Sequence, residues 1–339
     1  MANAFAEYLQ SHHGDLDGYL ASFFEPARTG CPADDDLDRY LYAPLRSFTE
    51  NGGKRHRPLI CLAACKAVGG DPARARSAAA AIEHFQSAAL IHDDIADHGQ
   101  LRRGKPCMYL TEGTGLAINC GDMDLTLVTD AVLNDPALDD ATRLRVLREL
   151  TAMTERTIEG QALDLGWVRD GRFDISVADY LRMATLKTAH YSGAVPLACG
   201  AIIGGGSDPQ IEALRSFGLD TGLAFQIQDD LINIVGSDRA KDWRTDITEG
   251  KRTLVAVHAL ADARFHDELQ AILDAGTDDP AALDRAVEIF EDTGAIAFAR
   301  SYAADLTARA KETLGAVELD EGCRALFLDM ADFFIERLN

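Results

Sequence analysis

Two pairs of adjacent aspartates interrupt otherwise apolar stretches of the chain. Asp93 and Asp94 lie in ALIHDDIAD, and a second pair begins at Asp229 in AFQIQDDLIN. Carboxylates in such surroundings are costly to bury unless they are paired or bind a metal. Residues four apart share a helix face, which would place Asp97 beside Asp93 and Asn233 beside Asp229. Magnesium takes a few carboxylates plus water and phosphate oxygens, so the pattern predicts two helices that bind magnesium around a diphosphate. For either pair alone, a solvated helix end is the alternative.

Two short segments concentrate basic residues in a chain with 33 Lys and Arg against 55 Asp and Glu. GGKRHRP covers residues 52–58, and LRRGKP covers residues 101–106, just beyond the first aspartate pair. Glycines permit close backbone approach to an anion, and arginine forks suit phosphate oxygens. A solvated loop would explain one such cluster. The two together predict a second diphosphate that is bound without metal.

These parts predict a reaction that starts with the loss of one diphosphate. Magnesium would make that diphosphate a good leaving group. The cation left behind is stabilised if it is allylic and if apolar and amide groups wall its cavity. The sequence contains no motif for a Ser, Cys or His nucleophile, and this reaction needs none.

The overall charge excludes several classes of function. The formal net charge is −22. A negative charge of this size repels nucleic-acid phosphates and anionic membrane surfaces.

The sequence also bears on membrane insertion and location. The longest nearly apolar run, residues 194–206, is too short to span a bilayer. No basic start precedes an apolar run, so no secretory signal is expected, and seven cysteines without a CxxC pair fit a reducing compartment. We expect a cytoplasmic protein without a nucleic-acid partner or stable membrane insertion.

Helical signals dominate the elements that must position these residues. Leu283, Ala286 and Phe290 recur at the spacing of one helix face, after a capping Asp279. SVAD at residues 176–179 is typical of a capping box. Abundant alanine, with only 7% aromatic residues, favours helices over strands. The sequence predicts an all-α domain of ten or more helices with short connections.

From about residue 52 to residue 253, the chain resembles the trans-isoprenyl diphosphate (polyprenyl) synthases. LIHDDIADHGQLRRGKP is similar to the family's first aspartate-rich motif with its arginine pair, and GLAFQIQDDLIN is similar to the second. GGKRHRP resembles the basic segment for the homoallylic substrate, and EGQALDL, LKTA and KDWRTDITEGKRT complete the ordered set. The resemblance implies a single large helical bundle around a central cavity, of the isoprenoid synthase type. It would span residues 1–339 with residues 1–37 as a peripheral segment, and it would form a homodimer.

The resemblance also implies a role for each matching position. Magnesium, as three ions per active site, would be bound by Asp93, Asp94, Asp97 and Asp229. Isopentenyl diphosphate would be bound by Lys54, Arg57, Gln86 and Arg103. The allylic diphosphate would be bound by Arg102, Lys187, Lys241 and Lys251. The catalytic set would be Asp93, Asp94, Lys187, Gln226 and Asp229. Further cavity or metal positions would be Gln161, Asp164, Thr188, Gln226 and Asp246. Asn233 departs from the family, in which many members have aspartate, so its share in metal binding is open.

Two small residues precede the first motif and bear on product length. Ala88 and Ala89 lie about 6–8 Å along the helix from Asp93 at 1.5 Å per residue. In the family, side chains at this level set the floor of the cavity down which the product grows. Two alanines leave that level open, which favours a product of twenty carbons or more. Tight helix packing is the alternative reason for the alanines. A deeper floor could be formed by Met123, Leu127 or Val128.

The sequence therefore predicts a magnesium-dependent prenyltransferase. It would condense isopentenyl diphosphate with an allylic diphosphate, 1′-4 and head to tail, into a linear trans-polyprenyl diphosphate. Geranylgeranyl diphosphate is the preferred product, and farnesyl or longer products are alternatives. A class I terpene cyclase on the same scaffold would not need the second diphosphate site. A non-catalytic partner subunit would not need the metal ligands, and both aspartate motifs are largely present.

Overall fold

Almost all regular structure in the described chain is helical. The computed structural model describes residues 4–25, 27–236 and 243–336. These residues form seventeen α-helices, short 3₁₀ and π segments, and one two-stranded hairpin. The predicted all-α fold with ten or more helices is confirmed. Within the same residues, no helix is both long and apolar enough to cross a membrane.

The helices are distributed over two compact units. The first comprises the described residues within Met1–Thr151, Pro196–Ile211 and Leu319–Cys323, and the second those within Ala152–Val195, Glu212–Glu318 and Arg324–Asn339. Unit 1 contains α1 (Ala4–Ala21), α2 (Ala33–Leu37), α3 (Ala43–Glu50), α4 (His56–Ala67), α5 (Arg76–Ala96), α6 (Met108–Thr111) and α7 (Thr114–Leu133). Four helices have residues in each of the two units, namely α8 (Asp140–Arg169), α10 (Val195–Ile203), α11 (Asp208–Val235) and α17 (Glu321–Glu336). Unit 2 contains α9 (Val177–Ala184), α12 (Thr245–Thr248), α13 (Leu254–Leu260), α14 (His266–Asp274), α15 (Pro280–Asp292) and α16 (Ala295–Leu314).

The core of unit 1 is built around α5. Its residues 78–81 are consecutive alanines with 0% exposure, and such small side chains let neighbouring helices approach closely. Helix α5 packs against α7 and α4. The N-terminal segment also contributes to this core, because Phe5, Leu20 and Phe24 are buried. Residues 4–24 are therefore an integral part of unit 1.

A short hairpin follows α5 and presents the second basic segment. Strands β1 (Leu101–Arg102) and β2 (Lys105–Pro106) pair antiparallel, with Arg102 opposite Lys105. The two turn residues, Arg103 and Gly104, have φ angles of 53° and 78°. Positive φ at both central residues matches the twist of a two-residue hairpin. This turn fixes where the arginine pair lies.

Unit 2 confirms two helix starts that the sequence predicts. Helix α9 begins with the capping box, in which the side chains of Ser176 and Asp179 each bind the other's backbone N–H. Helix α15 begins after Asp279, whose side chain accepts from the N–H of Ala281. These caps satisfy N–H groups that have no partner within the helix.

A π-helical segment, Thr185–Ala194, continues α9 and carries two candidate site residues. Helix α8 approaches it at Gly160, where an added Cβ would lie 2.2 Å from the backbone N of Lys187. Only glycine permits this approach. Isolated π segments widen a helix locally and are frequent at functional sites. Here the segment brings Lys187 and Thr188 towards α8 and α11.

Candidate active site

The first aspartate-rich motif lies at the C-terminal end of α5 in unit 1. Asp93 and Asp94 are in its last turn, and Asp97 follows as the C-cap, donating its N–H to the Asp93 carbonyl at 2.8 Å. Asp94 is 2% exposed, and its Oδ1 accepts from Nε of Arg102 at 2.9 Å. A hydrogen bond therefore links Asp94 of the motif to Arg102 of the following arginine pair.

The donor set at this motif fits magnesium. Oδ2 of Asp94 is buried and has no hydrogen-bond partner among the described residues. This carboxylate oxygen is therefore available to bind a metal ion. Asp93 and Asp97 are partly exposed beside it. The described residues contain no group of three His, Cys, Asp or Glu side chains placed to enclose a metal. Magnesium is usually bound by one or two carboxylates, and waters and substrate phosphates complete its shell.

The two predicted basic segments meet in unit 1. An added Cβ at Gly53 would lie 2.9 Å from Nη2 of Arg103 and 3.3 Å from Nη1 of Arg55, so a side chain at residue 53 would displace both arginines. Burial lowers the pKa of Arg103, and the nearby Arg55, Arg102 and Arg57 lower it further, while Glu83 opposes them. The crowding of positive charge is typical of a site for a polyanion.

Gln86, which the resemblance assigns to the isopentenyl diphosphate site, lies on α5 one turn after Glu83. It is 7% exposed, and its Oε1 is buried without a hydrogen-bond partner among the described residues. Arg57 is buried at the start of α4, whereas Lys54 is exposed. We name the set formed by Lys54, Arg55, Arg57 and Arg103 the arginine cluster.

The residues predicted to set product length lie on α5 and α7. Ala88 is fully buried and Ala89 partly buried. Leu127 lies in a buried apolar cluster of unit 1 against which Met123 packs, and Val128 is also buried. The cavity floor could lie at the level of Ala88 and Ala89 or at the deeper level of Met123, Leu127 and Val128. The product length therefore stays a prediction.

A buried polar pair accounts for the aspartate that interrupts α7. Nδ1 of His84 lies 3.0 Å from Oδ1 of Asp124, and both side chains are almost inaccessible to solvent. The His84 ring also packs edge-on against Phe23 and Phe24. Burial raises the pKa of Asp124, and the contact with His84 opposes that shift without cancelling it. The sequence did not reveal this pair, because its members lie 40 residues apart.

The second aspartate-rich motif lies on α11 in unit 2, within a chain of hydrogen bonds. Oγ1 of Thr188 donates to Oε1 of Gln226 at 2.6 Å, and Nε2 of Gln226 donates to Oδ1 of Asp230 at 2.7 Å. The hydroxyl of Tyr180 donates to the other oxygen of Asp230 at 2.7 Å. Burial raises the pKa of Asp230 to about 7. Asp229, one residue earlier, is only half-buried, so it is the more accessible carboxylate of the pair.

Two lysines meet one buried carboxylate in the same unit. Nζ of Lys187 donates to Oδ2 of Asp164 at 2.5 Å, and Nζ of Lys251 lies 3.5 Å from that oxygen. Burial acts to raise the pKa of Asp164, but the two ammonium groups outweigh it and hold the pKa below its usual value. A cavity of about 70 Å³ is lined by Asp164, Tyr180, Met183, Lys187, Gln226, Asp230, Asp246, Lys251, Arg252 and Thr253.

Asn233 uses both ends of its amide to position the start of α12. Its Oδ1 accepts from the N–H of Asp246 at 3.1 Å, and its Nδ2 donates to Oγ1 of Thr245 at 2.9 Å. Burial raises the pKa of Asp246 well above its usual value. The residue that departs from the family's aspartate thus fixes a neighbouring carboxyl group.

Most predicted residues lie in one or the other of the two units. In unit 1 these are Lys54, Arg57, Gln86, Asp93, Asp94, Asp97, Arg102 and Arg103. In unit 2 these are Gln161, Asp164, Lys187, Thr188, Gln226, Asp229, Asp246 and Lys251. Lys241 lies outside the described residues. Four partners of these sets were not predicted from the sequence: Arg55, Glu83, Tyr180 and Asp230. Arg55 had a signal, since it stands inside GGKRHRP, and Asp230 had one in its aspartate pair.

Sequence comparisons match this chain to known proteins over most of its length. The Polyprenyl synthetase family model matches residues 38–290. A short chain isoprenyl diphosphate synthase of Methanothermobacter thermautotrophicus is 39% identical over 84% of this chain and 87% of its own length. A geranylfarnesyl diphosphate synthase of Natronomonas pharaonis is 36% identical over 88% of this chain and 90% of its own.

A solved structure matches the fold over nearly the whole chain. The geranylgeranyl pyrophosphate synthase of Corynebacterium glutamicum, complexed with isoprenyl diphosphate and magnesium, superposes with a TM-score of 0.84 at 30% identity. The match covers 99% of each chain. The isoprenoid synthase fold inferred from sequence is confirmed, and the chain belongs to the polyprenyl synthetase family.

Proposed function

We propose that this chain is a magnesium-dependent trans-prenyltransferase that condenses isopentenyl diphosphate with an allylic diphosphate, 1′-4 and head to tail. The observation that carries the proposal is the arginine cluster beside the first aspartate-rich motif. Arg102 is bound by Asp94, while Arg103 meets the segment at Gly53. Unit 1 therefore offers carboxylates for a metal-bound diphosphate and a separate set of cations for a second one. A terpene cyclase would need only the first.

The metal ligands would be Asp93, Asp94 and Asp97 of the first motif and Asp229 of the second. When bound, three magnesium ions would neutralise the allylic diphosphate and make it a good leaving group. The unpartnered Oδ2 of Asp94 supports this use of the first motif. Arg102 donates a hydrogen bond to Oδ1 of Asp94, so Oδ2 is the oxygen of that carboxylate that would bind the metal.

Two sets of residues would bind the two diphosphates. Lys54, Arg57, Gln86 and Arg103 would bind isopentenyl diphosphate. Arg102, Lys187, Lys241 and Lys251 would bind the allylic diphosphate. Asp164 supports the second assignment, because its Oδ2 pairs with the ammonium groups of both Lys187 and Lys251. A diphosphate oxygen near these ammonium groups would gain from charges that are already ordered.

The reaction would break the bond between C1 and oxygen of the allylic diphosphate, and the electron pair would leave with the diphosphate. The double bond of isopentenyl diphosphate would then attack C1 of the allylic cation through C4. A proton lost from C2 would pass to the departed diphosphate, which balances the charge. Thr188 and Gln226 would direct dipoles at the cation, and their mutual hydrogen bond would keep those dipoles fixed during ionisation.

Geranylgeranyl diphosphate is the product that we propose. Ala88 and Ala89 support it, since neither side chain closes the level one turn before Asp93. Relatives named as short chain and geranylfarnesyl diphosphate synthases are compatible with a product of about this length. We further propose a cytoplasmic homodimer that acts as one domain, and exposed Ile118 and Leu133 on α7 support an interface between two copies.

The test is a product assay by mass spectrometry. The purified chain would receive magnesium and isopentenyl diphosphate with dimethylallyl, geranyl or farnesyl diphosphate, alongside single-substrate controls. A linear product extended by five-carbon units, absent without isopentenyl diphosphate, is the expected result. A cyclic hydrocarbon from one allylic substrate alone would establish a cyclase instead. No turnover by the homomer would point to a partner subunit.

A further inference from the structure

The N-terminal helix α1 is hydrogen-bonded into the arginine cluster. Nε2 of His13 lies 2.6 Å from the carbonyl oxygen of Gly53, and Oδ1 of Asp17 accepts from Nε of Arg55 at 3.0 Å. These residues precede the part of the chain that the family model matches, which begins at residue 38. Helix α1, which lies outside the motif GGKRHRP, therefore makes hydrogen bonds to two residues of that motif.

His13 and Asp17 also bind each other across one turn of α1. Nδ1 of His13 lies 3.0 Å from Oδ2 of Asp17. Both ring nitrogens of His13 thus lie within hydrogen-bonding distance of an oxygen atom. The pair forms a continuous link from the Gly53 carbonyl through His13 and Asp17 to the guanidinium of Arg55.

Arg55 is placed to position the cluster and not to bind a substrate. Its guanidinium is buried and donates to Asp17, to Glu83 on α5 and to the carbonyl of Thr49. Arg55 is also the N-cap of α4, with a φ of 48°. A non-glycine residue keeps such a conformation only where surrounding contacts stabilise it. The three acceptors around the guanidinium of Arg55 provide those contacts.

The geometry at Gly53 connects this link to the cations of the site. Nη2 of Arg103 and Nη1 of Arg55 both lie within 3.3 Å of the position that a Cβ at Gly53 would take. His13 fixes the carbonyl of Gly53, so it limits movement of the backbone that precedes Lys54. A change in that backbone would alter the spacing between Lys54 and Arg103.

We propose that α1 is a functional part of the diphosphate site formed by the arginine cluster. His13 and Asp17 are positioning residues that fix Gly53 and Arg55, and they set the affinity for the diphosphate bound without metal. This inference rests on the proposed function in one respect, namely that isopentenyl diphosphate is that ligand. The allylic diphosphate and the chemical step do not depend on it.

The test compares Asp17→Asn with Glu7→Gln, a variant with the same charge change at an exposed position of α1. Asp17→Asn should raise the KM for isopentenyl diphosphate about three- to tenfold, the size expected for a half-exposed charged contact. The KM for the allylic substrate and kcat should match those of Glu7→Gln.

A second variant tests the other end of the link. Arg55→Lys, which keeps the charge but cannot bind three acceptors in a fork, should show the same selective rise in the KM for isopentenyl diphosphate. The double variant should be less than additive, because both changes break one link.

A direct binding measurement separates this inference from the proposed function. Calorimetric titration of isopentenyl diphosphate into the full chain with a chelator present should show the same loss of affinity in Asp17→Asn. Equal affinities in Asp17→Asn and Glu7→Gln would overturn the inference, as would a parallel change in kcat and in both KM values. If the wild-type chain bound isopentenyl diphosphate but made no product, the proposed function would fail, and the binding comparison would still decide the role of α1.

Discussion

Nζ of Lys187 donates to Oδ2 of Asp164 at 2.5 Å, in a part of unit 2 where the carboxylate is 4% exposed. Lys251 lies 3.5 Å from the same oxygen. One buried carboxylate therefore sets the separation of two ammonium groups that we assign to the allylic diphosphate. Such a carboxylate has two effects. It compensates the buried cations, and it fixes the geometry into which a phosphate oxygen would enter.

Asp164→Asn should destabilise the chain and weaken binding of the allylic substrate. Without the carboxylate charge, two ammonium groups repel each other in a small cavity. We expect the free energy of unfolding to fall by about 2–3 kcal/mol, slightly below the range for a fully buried pair, because Lys187 is partly exposed. Urea denaturation measures this change. Glu249→Gln is the control, since Glu249 also lies 3.5 Å from Lys251 but is more exposed, and equal losses in the two variants would contradict the role of Asp164.

Asp93→Ala should abolish most turnover while the helical fold stays intact. Changes to groups that only support a metal ligand cost about 10–100-fold, so loss of a ligand should lower kcat by about a hundredfold or more. Asp93 is a half-buried residue in the last turn of α5, where a carboxylate contributes little to stability. Steady-state assays over a range of magnesium concentrations and thermal unfolding measure the two effects. Asp305→Ala, at an exposed site on α16, is the control, and near-normal rates in Asp93→Ala would disprove the metal assignment.

Features set by neighbours in sequence were predictable, and features set by packing were not. The capping box before α9 and the cap at Asp279 follow from residues one to three positions apart, so the sequence alone predicted them. Chemistry also predicted that the two basic segments belong to one site. The bond between Tyr180 and Asp230 joins residues 50 apart, and that between His13 and Gly53 joins residues 40 apart. Partners at such separations depend on how helices pack, which one sequence does not encode in any local pattern.

Substitutions at Ala88 and Ala89 should shorten the product. A phenylalanine at either position would fill the level one turn before Asp93 and stop the growing chain earlier. Ala88 is fully buried, so Ala88→Phe should also cost about 1–3 kcal/mol from overpacking. Ala89 is partly exposed and should accept the larger ring with less strain. Mass spectrometry of the products reports chain length, and thermal unfolding reports the strain.

The smaller change Ala88→Val serves as the matched control for this experiment. It adds bulk at the same position but does not reach as far as a ring, so its product distribution should shift less than that of Ala88→Phe. If Ala88→Phe and Ala89→Phe both fold and both leave the product unchanged, the floor lies deeper. Met123 and Leu127 would then be the positions to vary.

Asp124→Asn should remove a pH dependence of stability that the wild-type chain shows. Burial raises the pKa of Asp124 above its usual value of 3.8. As the pH rises above 3.8, the unfolded chain loses this proton first, so stability falls until the pH passes the pKa of the folded state. The wild type should therefore lose more stability than Asp124→Asn, whose amide oxygen can still accept from His84, as the pH rises from 3.8 through the pKa of the folded state. Urea denaturation at a series of pH values from 3.8 upward measures the difference, and Asp122→Asn, an exposed neighbour on α7, controls for the charge. If Asp122→Asn and Asp124→Asn changed the pH dependence equally, the effect would come from net charge and not from the buried pair.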